Sequence, residues 1–308
     1  MNTVLFVYLV LGAVADLSDS KVITLGSHEG TTRVAISLDG KVAASTGDKT
    51  IRLWDTAKAT PMHSIPIEEF GVALAFTPDK KAIAVRLENS VDLHDIESGM
   101  RIRRFDSHVD GVPRIAISPN GRLLVSGGSD NKARVWELTT GKLLHELAHE
   151  YHLVFGVHFS PDSQTLITGA GDGVATHGEV KSWKLNTGEN MWRHEGKQNW
   201  MVAVLPDASA IVSADVEGVI VFHDWATGAE RRRLKTSDSC RALAVSADGK
   251  MLAASSRNAI EIWSLTSGKP MSPLNGHQNW VVSLAFAPDG SAMVSGSSDD
   301  TVRLWRLP

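Results

Sequence analysis

A turn of the form Pro-Asp-Gly, or a close variant, recurs seven times along this chain at a nearly fixed interval. It reads Leu38-Asp39-Gly40, Pro78-Asp79-Lys80, Pro119-Asn120-Gly121, Pro161-Asp162-Ser163, Pro206-Asp207-Ala208, Ala247-Asp248-Gly249 and Pro288-Asp289-Gly290. Its Asp or Asn positions are 40, 41, 42, 45, 41 and 41 residues apart. The cleanest unit, Gly276 to Trp305, holds three strand-like runs at Val281 to Phe286, Ala292 to Ser295 and Thr301 to Trp305. Turn formers part them at Pro288-Asp289-Gly290 and Ser298-Asp299-Asp300. A further turn, Ser98-Gly99, Thr140-Gly141, Thr187-Gly188, Thr227-Gly228 or Ser267-Gly268, leads into a fourth short strand. One four-stranded sheet cannot bury both of its faces unless neighbours flank it, so this period predicts blades stacked around an axis. The expected fold is all-β, a seven-bladed β-propeller with four-stranded antiparallel blades.

An aromatic residue or His closes each third strand, at Trp54, His94, Trp136, Trp183, Phe222, Trp263 and Trp305. Together with Gly276-His277 ahead of the first strand, the Ser295-x-x-x-Asp299 hairpin and Val302-Arg303-Leu304-Trp305, these residues give the chain its resemblance. Over roughly residues 21 to 308 it resembles the WD-repeat (WD40) family. The resemblance implies a hydrogen-bonded tetrad of His, Ser or Thr, Asp and Trp within a blade. The chemistry supports such a set, because a buried indole N–H needs an acceptor and a buried carboxylate is costly unless it accepts hydrogen bonds. Matched to that pattern, the tetrads are His277, Ser295, Asp299 and Trp305; His108, Ser126, Asp130 and Trp136; and His149, Thr168, Asp172 and Trp183. The first repeat offers His28, Ser45, Asp48 and Trp54, with Ser45 one position off the usual spacing. The second, fifth and sixth repeats depart from the pattern at Glu88 and His94, at Lys197 and Phe222, and at Ser237 and Arg257. Those blades are expected to be the softer part of the ring. The family topology also implies that Lys21 to Leu25 supplies the outermost strand of the last blade, closing the ring.

With 308 residues, 43% of them hydrophobic, the chain can bury a substantial interior. A net charge of −4 without a long run of one sign gives no basis for nucleic-acid attraction, and no nucleic-acid partner is expected. The single cysteine, Cys240, excludes an internal disulfide framework and a Cys-rich zinc site. No nucleophile elbow, P-loop or H-E-x-x-H motif occurs, so no catalytic residue, metal or cofactor is assigned. Val4 to Val14 is an apolar run ending in Ala13-Val14-Ala15, which suggests a signal peptide over residues 1–15 ahead of a single propeller domain at 16–308. The run is too short to span a bilayer, and Met1-Asn2-Thr3 lacks the usual positive charge. Export to a periplasm or the cell exterior would follow from cleavage, and a cytoplasmic location otherwise.

In the family the loops between blades and those joining the second and third strands share one rim around the central channel. Gln198-Asn199-Trp200 and Gln278-Asn279-Trp280 place a Trp in what reads as equivalent positions there, and Trp is a frequent binding anchor. The fourth repeat carries an inserted loop within Gly173 to Glu179, which lengthens a rim hairpin. A histidine-rich stretch, His145, His149, His152 and His158 with His177 nearby, leaves only His152 and His177 to share a site, too few for a metal. The expected role is a non-catalytic scaffold that binds a protein or peptide through Trp200, Trp280, Tyr151, His152 and His177, as a monomer or within a hetero-complex. The alternatives are a hydrolase or lyase with its site at the channel mouth, and an exported sugar-, polymer- or metal-binding propeller.

Overall fold

The computed structural model describes residues 17, 20–106, 108, 111, 114–173, 176–196 and 199–308, with the side chains of 199 and 200 left aside. The expected leader at residues 1–15 lies outside them, as does Lys197. The described residues form seven four-stranded antiparallel sheets and no α-helix, and no helix is long and apolar enough to cross a membrane. In the first six sheets the strands follow one another in chain order from the channel outward, so each blade is a meander. Blade seven is made from both ends of the described chain. Lys21–Ser27 pairs with Thr301–Arg306, Lys21 opposite Arg306 and Ser27 opposite Thr301, and provides the outer strand of that sheet. The pairing leaves no open sheet edge between first and last blades, which is the closure expected from the repeat phase.

The alternation of the strands explains how the ring holds together. Each sheet presents side chains to both neighbours, and the buried apolar residues fall into clusters that each bridge two adjacent blades. Val34 and Trp54 meet Leu25, Val294 and Leu304 across the seam between blades one and seven. Ile167, Val180 and Trp192 meet Val202, Val204 and Ile211 between blades four and five. Leu17 is buried in the seam between blades six and seven, against the cluster containing Met293 and Trp305. By contrast, the outer strands expose Met62, Ile102, Leu143, Leu144 and Met191, because nothing flanks the circumference.

The recurrent turn that marked the period adopts one conformation throughout. Its third residue sits in the left-handed region, with φ of 69°, 70°, 69° and 72° at Gly40, Gly121, Gly249 and Gly290. Where glycine is missing, Lys80, Ser163 and Ala208 are held at 61°, 61° and 54° instead. A side chain there is strained, so the fold dictates the geometry and the residue accommodates it.

Candidate functional site

In blade seven the indole of Trp305 donates to Ser295 Oγ at 2.8 Å, and Ser295 Oγ lies 2.7 Å from His277 Nε2. His277 Nδ1 is 2.9 Å from Asp299 Oδ2. An indole can only donate, so the serine hydrogen turns to Nε2 and the imidazole proton sits on Nδ1, facing the carboxylate. Burial would raise the Asp299 pKa, but Thr301, the Gln278 N–H and His277 together hold it well below the usual carboxylate range. Burial likewise pushes His277 down despite Asp299, so the ring stays neutral. Blade three repeats the set: Trp136 to Ser126 Oγ at 3.2 Å, Ser126 to His108 Nε2 at 3.0 Å, and His108 Nδ1 to Asp130 at 2.8 Å. Gly128 lies beside it because a Cβ there would sit 2.1 Å from His108 Nδ1.

Blade one joins His28, Ser45, Asp48 and Trp54 in the same way, with Trp54 to Ser45 and Ser45 to His28 both 2.8 Å and His28 to Asp48 3.1 Å. The apparent offset of Ser45 is a property of the turn. Ser45 pairs with Arg52 and Ala43 with Trp54, matching Ser295 with Arg303 and Met293 with Trp305. The blade-one hairpin is simply one residue shorter, so Ser45 keeps its register.

Blade four differs from the expected set. Trp183 donates to Thr168 Oγ1 at 2.7 Å, but His149 Nδ1 meets Glu179 Oε1 at 2.9 Å and not Asp172. The inserted residues extend the hairpin to Gly171 opposite Gly178, which carries Asp172 to the far end. There Asp172 accepts the N–H of His177 at 2.9 Å and the hydroxyl of Thr176. Glu179, fully buried opposite Ala170, fills the gap with its longer side chain. It also accepts the Glu150 N–H at 3.0 Å and pairs with Lys181 at 3.3 Å and Arg193 at 2.5 Å.

The weaker repeats keep fragments of the arrangement. In blade five the residue at the Trp position is His223 and not Phe222, because Ile211 pairs with His223 two places beyond Ser213 with Val221. His223 Nε2 lies 2.8 Å from Ser213 Oγ, and Nδ1 faces the Gly228 carbonyl at 3.2 Å. Phe222 points into the apolar seam with blade six, beneath Arg232. In blade two His94 similarly faces the Gly99 carbonyl at 3.1 Å, while buried Asp92 is held by Arg104 at 2.7 and 2.8 Å and by Arg101 at 3.2 Å. Blade six places Ala254 opposite Glu261 at the Ser position, and Glu261 accepts the Ser237 N–H at 2.9 Å.

On the rim, the ring of half-buried Trp280 lies under the Arg241 guanidinium at 4.1 Å. Trp200 is not its counterpart. Asn199 opposite Asp215 matches Val281 opposite Ser297, so Trp200 takes the bulge position of Val282, and its side chain lies outside the description. Phe70 occupies the place of Trp280: each precedes by four residues the strand residue, Leu74 or Leu284, that pairs with Val85 or Ser295. It is 56% exposed. In blade four Tyr151 stacks on His177, with centroids 6.2 Å apart and planes at 12°, and His152 is exposed. His145 and His158 are bound to backbone carbonyls at 2.7 and 2.8 Å. Among the described residues no group of three or more His, Cys, Asp or Glu could hold a metal.

The channel mouth carries a feature that residue types alone did not single out. Arg33, Arg86, Arg114 and Arg241 line one cavity of about 280 Å³ with Phe155 and Met201. Arg33 opposite Thr46 and Arg114 opposite Gly127 start the innermost strands of blades one and three at the same register position. Arg86 comes from the second strand of blade two between them, and Arg241 from the loop before the first strand of blade six. Burial, then the charges of Arg114, Arg86 and Arg241, push the Arg33 pKa down to about 9. Burial and Arg114 push Arg86 down to about 10 against the opposing pull of Glu88, and burial lowers Arg114. Arg33 Nη1 and Arg86 Nε are buried without a hydrogen-bond partner among the described residues.

Comparison with known proteins places these repeats. A family model described as WD domain, G-beta repeat matches residues 19–55, 99–137, 141–176 and 268–306. The matched segments are those that contain the four loop histidines, and the unmatched repeats are the three that depart from the pattern. An uncharacterised WD repeat-containing protein of Synechocystis is 36% identical over 45% of this chain and 41% of its own length. Cell division cycle 20.5, cofactor of APC complex, of Arabidopsis thaliana is 27% identical over 86% of this chain and 62% of its own. Small ribosomal subunit protein RACK1y of Oryza sativa subsp. japonica is 26% identical over 92% of this chain and 94% of its own. The chain thus spans less than two-thirds of the length of the first curated relatives it matches.

Proposed function

The chain belongs to the WD-repeat family, and from that premise we propose that it is a non-catalytic platform holding a protein or peptide on the channel-mouth rim. The observation that carries this reading is how its reactive residue types are distributed. The His, Ser and Asp side chains that could suggest hydrolysis are occupied with burying Trp54, Trp136 and Trp305. Two further aromatic residues, Phe70 and Trp280, stand at one repeated rim position, and Tyr151 with His177 forms a second stacked plate on blade four. Large rigid aromatic groups beside a deep channel are what a binding surface uses as anchors. Two of the relatives bear names that place them in assemblies, a cofactor of a complex and a ribosomal subunit protein, which supports the same class of role here.

The test compares proteins retained by the wild type with those retained by a Phe70→Ala, Trp280→Ala double variant of unchanged far-ultraviolet dichroism. Truncating anchors should weaken retention by about 30-fold or more, corresponding to roughly 2 kcal/mol. A control pair on the circumference, Met62→Ala with Ile102→Ala, should retain the same proteins as wild type. Equal retention by the rim variant would move the binding surface elsewhere on the ring.

A further inference from the structure

We propose that the four arginines at the channel mouth form a binding site for a phosphoryl dianion. This deepens the platform reading, because the site lies beside the rim aromatics and would receive a charged group carried by what they hold.

Three observations support it. Arg33, Arg86, Arg114 and Arg241 converge on one cavity from blades one, two, three and six, so the cluster is built by the ring as a whole and not by one hairpin. Their charges act on one another with little compensation. Among the described residues, the charged neighbours that influence Arg33 are arginines, and Glu88 acts in the opposite sense on Arg86. Several carboxylates elsewhere meet cations directly: Asp92 has Arg101 and Arg104, Asp130 has Arg134, and Glu179 has Lys181 and Arg193. Finally, Arg33 Nη1 and Arg86 Nε are buried without a hydrogen-bond partner among the described residues.

Gathering four cations with little counter-charge among the described residues opposes folding, and such an arrangement is expected where a ligand supplies the missing charge. A single carboxylate brings one negative charge. A phosphoryl group brings nearly two, with three acceptor oxygens that match the guanidinium fork. The cavity, about 280 Å³, is several times the ~30 Å³ that one water occupies, and Phe155, Met201, Val72 and Val282 give its wall an apolar portion for the stem bearing the group. Arg241 also caps Trp280, so the charge site and the rim anchor share a side chain. Ser129 lines the same cavity, and Arg86 Nη2 reaches the neighbouring loop, 3.8 Å from where a Cβ on Gly111 would sit.

The experiment is thermal melting and calorimetric titration of the full chain with sodium pyrophosphate, against sodium chloride of equal ionic strength. Wild type should show a saturable rise in melting temperature beyond the chloride control. An Arg33→Gln, Arg114→Gln double variant should melt no lower than wild type without ligand, since it relieves repulsion, and should bind pyrophosphate at least about tenfold more weakly. No saturable effect in wild type, or undiminished affinity in a folded double variant, overturns the proposal. If the double variant fails to fold, Arg33→Lys with Arg114→Lys keeps the charge but loses the fork. That pair should also bind more weakly, and equal affinity overturns the proposal. A phosphothreonine peptide and its unphosphorylated twin then identify the source. Phosphate-dependent peptide binding assigns the group to a partner chain, whereas pyrophosphate binding alone assigns it to a free anion. The titration contains no partner protein, so its failure leaves the rim experiment standing on its own.

Discussion

Replacing Glu179 by Ala should damage this protein far more than replacing Asp172, although the repeat pattern points to Asp172. Glu179 is fully buried and receives His149 Nδ1, the Glu150 N–H, Lys181 and Arg193. Removing it leaves His149 without its Nδ1 acceptor and the nearly buried Lys181 beside no counter-charge. Breaking a buried ion pair by deleting one member costs about 3–5 kcal/mol. Titration gives a compatible size. Burial raises the Glu179 pKa, but His149, the Glu150 N–H and Lys181 outweigh it and bring the value from 4.5 down to about 2. The unfolded chain therefore holds more protons between those values, so this contribution, about 3 kcal/mol, is complete above pH 4.5 and lost as the pH falls towards 2. Asp172 ties the end of a surface hairpin, and its loss should cost about 1 kcal/mol. For a domain of this size the Glu179→Ala melting point should drop on the order of 10 °C and that of Asp172→Ala by about 3 °C. Urea unfolding at pH 7, followed by near-ultraviolet dichroism and tryptophan fluorescence, measures both. Equal costs for the two variants would refute the exchange of partners in blade four.

His223, pushed by burial and by neighbouring His194 from 6.5 down to about 4, stays neutral in the fold where the unfolded chain is already protonated. Stability should therefore fall as pH drops from 6.5 towards 4, and in His223→Gln the slope of unfolding free energy against pH should lose about one proton in that window; an unchanged slope would refute the assignment. Ala208 holds a left-handed backbone, φ 54°, at the turn position where four other blades have glycine. Ala208→Gly should raise stability by about 0.5–1 kcal/mol in urea titrations, and a loss would mean that the turn does not carry the strain.

The period of the turns and the alternation of the strands made the ring legible, since both are enforced by backbone geometry repeated seven times. What escaped was register within a hairpin. The turn between second and third strands varies by a residue, so counting forward from Asp207 allows either Phe222 or His223 to close blade five, and the more hydrophobic residue attracted the assignment. Counting back from the next turn would have chosen correctly. His94, Trp136, Trp183 and Trp263 each stand five residues before Gly99, Gly141, Gly188 and Gly268, and His223 stands five before Gly228. Glu179 was hidden for a related reason: an insertion that lengthens a hairpin moves the motif Asp away from its His, and only the pairing reveals which acidic residue remains within reach. Phe70 was missed because no Gln-Asn precedes it, although its distance from the Asp79 turn equals that of Trp280 from Asp289. The arginine cluster could not be read at all, as its four members lie in different repeats and meet only when the ring closes.

That last contrast bears on how the ring divides stability from function. Within the blades, buried charge is matched: Asp48, Asp130 and Asp299 each face a neutral His and further donors, and burial is offset locally. Such sets stabilise because removing any member strands the others. At the channel mouth the logic inverts, since guanidinium groups are brought together with Glu88 the one acidic side chain acting on Arg86 among the described residues. A sequence selected only for a stable ring would have no reason to place Arg33 and Arg114 at the register position filled by Ser283 in blade seven and Met201 in blade five. The gathered positive charge is therefore the part of the design that folding does not explain. Binding of an anion-bearing partner accounts for both the charge and its position beside Trp280.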